Sequence, residues 1–151
     1  MNLVFSEIVS DSRSHLKKIK AILNAHAKVV YVYSLDEQWI NYPFKNGQII
    51  YIGEACRKNE NTAERFGQHF NKSNTGSNRT LINFLEKGFK IRLRIFELAI
   101  NEKLKDTEIL LHQWHMNEYG SLPMAISAGS KNYMKKNMMK VNYSSLKNIL
   151  P

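Results

Sequence analysis

Across residues 11–27, Leu16, Ile19 and Leu23, with His26, recur every three to four residues, which is the period of one helix face. Asp11, Ser12 and Ser14 supply candidate N-cap oxygens. Lys17, Lys18 and Lys20 fall mostly off the apolar stripe, as a solvated basic face does. Two β-branched and aromatic runs follow, KVVYVYS at Lys28–Ser34 and QIIYIG at Gln48–Gly53. Both are too short for buried helices and predict strands. The link between them carries Pro43 and an Asn46-Gly47 turn signal, so antiparallel pairing is simplest. A hairpin symmetric about Asn41 sets Tyr31 opposite Tyr51.

Asn61–Phe70 predicts a helix, with Asn61 and Glu64 spaced as a capping box. A polar loop at 71–78 leads to a short helix over Arg79–Lys87, stopped by Gly88. Phe89–Leu98 alternates strictly through Lys90, Ile91, Arg92, Leu93, Arg94 and Ile95, the period of a half-buried strand. A longer helix runs from Leu104 to Tyr119, with Leu104, Leu111 and Trp114 inward and Gly120 and Pro123 ending it. His112 and His115 read as polar-face residues of that helix. The expected fold is α+β, a small three-stranded antiparallel sheet flanked by helices. Its parts are an N-terminal helical extension (1–27), a central domain (28–128) and a basic C-terminal arm (129–151).

Composition narrows the class. The chain has 151 residues, 43% of them hydrophobic, enough for one domain with a core. No apolar run approaches the roughly 20 residues of a membrane helix. The start lacks the basic-then-apolar pattern of a signal peptide. The single cysteine, Cys56, allows no internal disulfide. A cytoplasmic protein with no membrane partner is expected. Lys and Arg total 22 against 13 Asp and Glu, a net charge of +9. A basic domain of this size seeks polyanions, of which nucleic acid is the commonest.

The candidate chemistry lies in residues scattered along the chain. Tyr31 and Tyr51 occupy neighbouring strands. Arg65 and His69 lie four apart on one predicted helix, and so on one face. Glu108 opens the long helix. Phenols, a guanidinium, an imidazole and a carboxylate suit phosphodiester hydrolysis. A carboxylate holds Mg²⁺. Arginine matches phosphate oxygens with a planar fork. A phenol or imidazole orients water or takes its proton. Spacings of His112 and His115 with Glu108 are compatible with a helical metal site, but zinc needs further ligands. No phosphate-cradling glycine-rich loop is present, so no nucleotide cofactor is expected.

The pattern resembles the GIY-YIG nuclease family. Val29-Val30-Tyr31 stands where the family has Gly-Ile-Tyr, and Tyr51-Ile52-Gly53 matches the second half, continuing as Glu54-Ala55. Arg65-Phe66-Gly67-Gln68-His69 matches the family's arginine, three residues, histidine. Glu108 matches its metal-binding glutamate. The family's asparagine after a proline has no counterpart at Pro123-Met124-Ala125-Ile126. The resemblance implies a DNA endonuclease dependent on Mg²⁺ or Mn²⁺. In it Glu108 holds the metal, Arg65 grips the scissile phosphate, and Tyr31, Tyr51 and His69 position or deprotonate water. A stand-alone chain is closer to the restriction or phage-borne members, so site-specific cleavage is the leading expectation. A homodimer on DNA would cut both strands of a palindrome. The alternatives are a structure-selective repair or recombination nuclease and a non-catalytic nucleic-acid-binding module. Arg57 and Lys58 should border the cleft. Lys72, Arg79, Lys90, Arg92, Arg94, Lys131, Lys135 and Lys136 are candidates to track the DNA backbone.

Overall fold

The computed structural model describes residues 1–10, 12–56, 63, 66, 69–70, 77–126 and 150. Its strands are β1 (Asn2–Ile8), β2 (Lys28–Leu35), β3 (Ile40–Asn41), β4 (Asn46–Gly47), β5 (Ile49–Cys56) and β6 (Ile91–Glu97). Its helices are α1 (Arg13–Ala25), α2 (Ser77–Glu86) and α3 (Leu104–Tyr119). The architecture is α+β around an antiparallel sheet. That sheet has four strands in the order β1-β6-β2-β5, whereas three were expected. The extra strand is β1, which pairs with β6 from Asn2↔Glu97 to Ile8↔Arg92. Residues 2–8, expected within an N-terminal helical extension, thus lie in the sheet ahead of α1. The β3–β4 pair forms a separate small ribbon. The helix expected over Asn61–Phe70 lies largely outside the described residues, as does most of the C-terminal arm.

Strand β2 is central, with β6 on one side and β5 on the other, and Val29–Leu35 are all buried. A strand covered on both faces reads as a continuous apolar run, as KVVYVYSL does. Side chains alternate across the sheet. Tyr31 and Tyr33 therefore share one face with Tyr51 and Gly53 of β5 and with Leu93 and Ile95 of β6. Helix α1 lies on this face: Lys18 reaches Glu7 and lies over the Phe5 ring, and His26 Nδ1 is 2.9 Å from Glu97. The helix buries Ile19 and Leu23 and is capped by Ser12, whose hydroxyl accepts from the His15 N–H. Its residue Asn24 accepts the Ala63 N–H at 3.0 Å, which ties Ala63 beside it.

Helix α3 packs against β5 and β2. Gly120 ends it in the left-handed conformation (φ 81°), donating to Met116 O. Glycine is favoured there because a side chain strains this geometry. At the outer edge of β5, Ala125 N–H donates to Ile50 O at 2.9 Å.

His112 and His115, expected on the polar face of α3, are instead fully buried. The helix is enclosed around most of its circumference, with Glu108, Ile109, Leu111, Gln113, Trp114 and Tyr119 buried as well. Burial disfavours the charged imidazole. It is the main cause that lowers each histidine to about 4.

Among the described residues, no helix is long and apolar enough to cross a membrane.

Candidate active site

The strand register departs from the symmetric hairpin. Tyr33, not Tyr31, stands opposite Tyr51, and Tyr31 stands opposite Gly53. A bulge accounts for one residue of the offset, since the next pair after Tyr33↔Tyr51 is Ser34↔Ile49 and Ile50 is extra in β5; the other residue arises because the hairpin is not centred on Asn41. The offset relative to expectation is two residues, so all three tyrosines still share a face.

They gather around His69. The Tyr33 hydroxyl lies 3.0 Å from His69 Nδ1, and the Tyr31 hydroxyl 3.4 Å from Nε2. The Tyr31 and Tyr51 rings stack at 6.0 Å between centroids and 18° between planes. Tyr51 meets the His69 ring edge-on at 5.5 Å. Phe66 and Phe70 pack behind, each edge-on or tilted to its neighbours.

Gly53 makes the stack possible. A Cβ at this position would lie 2.6 Å from Tyr51 Cε1, 2.7 Å from Tyr31 Cε2 and 2.8 Å from Tyr31 Cζ. The rings close over a bare backbone, which gives the glycine of Tyr51-Ile52-Gly53 a steric reason.

Protonation follows from burial. Tyr33 is 1% exposed. Burial first, and the neighbouring Tyr51 phenol second, hold its hydroxyl well above the usual phenol range. It therefore stays protonated, and a buried O–H is normally donated. The His69 Nδ1 is its acceptor. A neutral imidazole with Nδ1 accepting carries its hydrogen on Nε2. Nε2–H then points at the Tyr31 oxygen and leaves the Tyr31 proton to be given onward.

Glu108 belongs to a second group on α3. It is 7% exposed and pairs with Lys105, whose ammonium is also 3.9 Å from Glu54 on β5. His112 Nε2 is 4.0 Å from its other oxygen. The two groups flank β5 from opposite sides: Gly53 underlies the rings on one face, and the next residue, Glu54, points to the other face, toward α3. Among the described residues, no set of three or more His, Cys, Asp or Glu side chains could hold a metal together. The donor set nonetheless fits a hard cation. Mg²⁺ uses one or two carboxylates and keeps several waters. The field between Glu54 and Glu108 already holds the Lys105 ammonium.

The cationic strand face lies elsewhere. Arg92 and Arg94 alternate with Leu93 and Ile95, so they project away from the tyrosines. Arg92 bonds Asp36 at 2.6 Å and Arg94 bonds the Ser34 hydroxyl at 2.8 Å. The Arg92 hydrogen bond holds Asp36 below its ordinary value. Lys90 pairs with Glu37 at 2.6 Å and Arg79 with Glu86 at 3.5 Å. The candidates Arg57, Lys58, Arg65, Lys72, Lys131, Lys135 and Lys136 lie outside the described residues.

Three participants were missed in the sequence: Tyr33, Glu54 and Lys105. Tyr33 had a signal, since two residues from Tyr31 in a strand means the same face. Lys105 had a weaker one, three residues before Glu108 on a helix. Comparison with protein-family models, curated proteins and solved structures gives no match to this chain.

Proposed function

We propose that the protein is a DNA endonuclease hydrolysing phosphodiester bonds with Mg²⁺ or Mn²⁺, built on the GIY-YIG plan. One observation carries the reading: Tyr31, Tyr51 and His69, far apart in sequence, meet over Gly53, which has no room for a side chain.

In the proposed reaction water adds to phosphorus and the bond to the leaving oxygen breaks. A divalent ion held by Glu108, with Glu54 near, would neutralise charge on the phosphate. Arg65, four residues before His69, serves as the phosphate clamp. Tyr33 donates to His69 Nδ1, and His69 Nε2–H donates to Tyr31. Tyr31, His69 and Tyr51 are the groups placed to orient the water or take its proton. Tyr51 packs against Tyr31 and limits its rotation.

Site-specific cleavage is the favoured biology, with a homodimer cutting both strands. The test is incubation with plasmid and Mg²⁺. Discrete bands support a site-specific nuclease, and selective cutting of branched DNA supports a structure-selective one. Binding without cutting returns the fold to a non-catalytic module.

A further inference from the structure

The outward face of α1 carries Arg13, Lys17 and Lys20 at helical intervals of four and three, so they form one row. They line, with Leu16, a shallow depression of about 420 Å³. All three are exposed, and none has an ion pair among the described residues. That distinguishes them from several other cations of the fold. Lys18, Lys45, Lys90, Arg92 and Lys105 each meet a carboxylate.

The placement of Arg13 also opposes helix stability. Arg13 opens α1, and the first turn holds no acidic residue. The positive end of the helix dipole disfavours a cation there. A row of unneutralised charge, partly set against the dipole, has a rationale if a polyanion is its partner.

We infer that this face of α1 docks backbone phosphates of duplex DNA, outside the reaction centre. The choice of DNA as the polyanion rests on the proposed function. From Arg13 to Lys20 the helix rises about 10 Å. That spans about three phosphates of one strand at roughly 3.4 Å of rise each. Helix α1 lies on the sheet face that carries Tyr31 and His69, so a duplex resting on it lies on the reactive side. A membrane surface fits less well. Interfacial helices insert an apolar face, and here Ile19 and Leu23 are fully buried in the core.

The test is fluorescence anisotropy with a short duplex in EDTA, across a salt series, so that binding is read without cleavage. The variants are Arg13→Gln, Lys17→Gln and Lys20→Gln, singly and together. Each contact removed should flatten the plot of log K against log salt by about 0.9, and the triple variant by about 2 to 3. A control, Lys87→Gln with Lys103→Gln, lowers net charge elsewhere and should leave the slope nearly unchanged. The inference is overturned by a parent slope in the triple variant, by an equal loss in the control, or by a parent that binds anionic vesicles and not DNA. Loss of binding in the triple variant, beside a parent that never cuts DNA, would keep this inference and sink the nuclease reading.

Discussion

The Tyr33 hydroxyl lies 3.0 Å from Nδ1 of His69, so a residue outside the recognisable motif sets the tautomer of one inside it. The opposite nitrogen faces Tyr31 at 3.4 Å. One imidazole is thus bracketed by two phenols of a single strand, because residues two apart in β2 point the same way.

Tyr33→Phe keeps the ring and removes only the donor to Nδ1. A buried imidazole nitrogen left unsatisfied should lower stability by about 1–3 kcal/mol. The Nδ1–H tautomer of His69 should gain population, visible in the ring nitrogen shifts. Cleavage should slow about tenfold, equivalent to roughly 1.4 kcal/mol. Unchanged ring nitrogen shifts would show that Tyr33 does not set the tautomer.

Gly53→Ala places a methyl group where the Tyr31 and Tyr51 rings already sit. Forced separation of packed rings destabilises typically by about 1–3 kcal/mol. Chemical denaturation should show that loss, and cleavage should fall below the level that lost stability explains. A fully stable, fully active variant would contradict the packed arrangement.

Acid should destabilise the fold through α3. His112 and His115 are lowered from 6.5 to about 4 in the folded protein, chiefly by burial. The unfolded chain takes up protons near pH 6.5, while the folded chain resists until about pH 4. The unfolded state thus binds more protons in this window, so stability falls as pH drops through it. Above pH 6.5 the contribution is constant. The limit is about 3 kcal/mol per histidine, from roughly 1.4 kcal/mol per pH unit. Denaturation midpoints from pH 7 to pH 4 should show the slope, and His115→Gln should reduce it by about one proton. A flat profile would mean that the histidines titrate normally.

Legibility varied with how local the signal was. Helix α3 could be read to both ends because Gly120 marks its stop. The alternation of β6 survives because its two faces differ, apolar toward α1 and cationic away from it. Strand β1 was not legible: a register shift between Leu3 and Phe5 breaks the period of two within a seven-residue strand. The β2–β5 register was misjudged because the bulge at Ile50 has no sequence mark and because the hairpin is not centred on Asn41. Among the site residues, Tyr31, Tyr51 and His69 were found through motif spacing. His112 and His115 were misplaced because a helix enclosed nearly all round has no polar stripe to read.

The most direct measurement is single-turnover plasmid cleavage with Mg²⁺ by the parent, Arg65→Ala and Glu108→Gln proteins, with an EDTA arm. Arg65 and Glu108 are assigned to charge that grows in the transition state, so each substitution should lower the rate about a hundredfold or more. EDTA should stop the parent. For Glu108→Gln the thermal midpoint should shift little, because Lys105 retains the Glu54 carboxylate within 3.9 Å. Cleavage by both variants at the parent rate, or full parent activity in EDTA, would contradict the proposed active site.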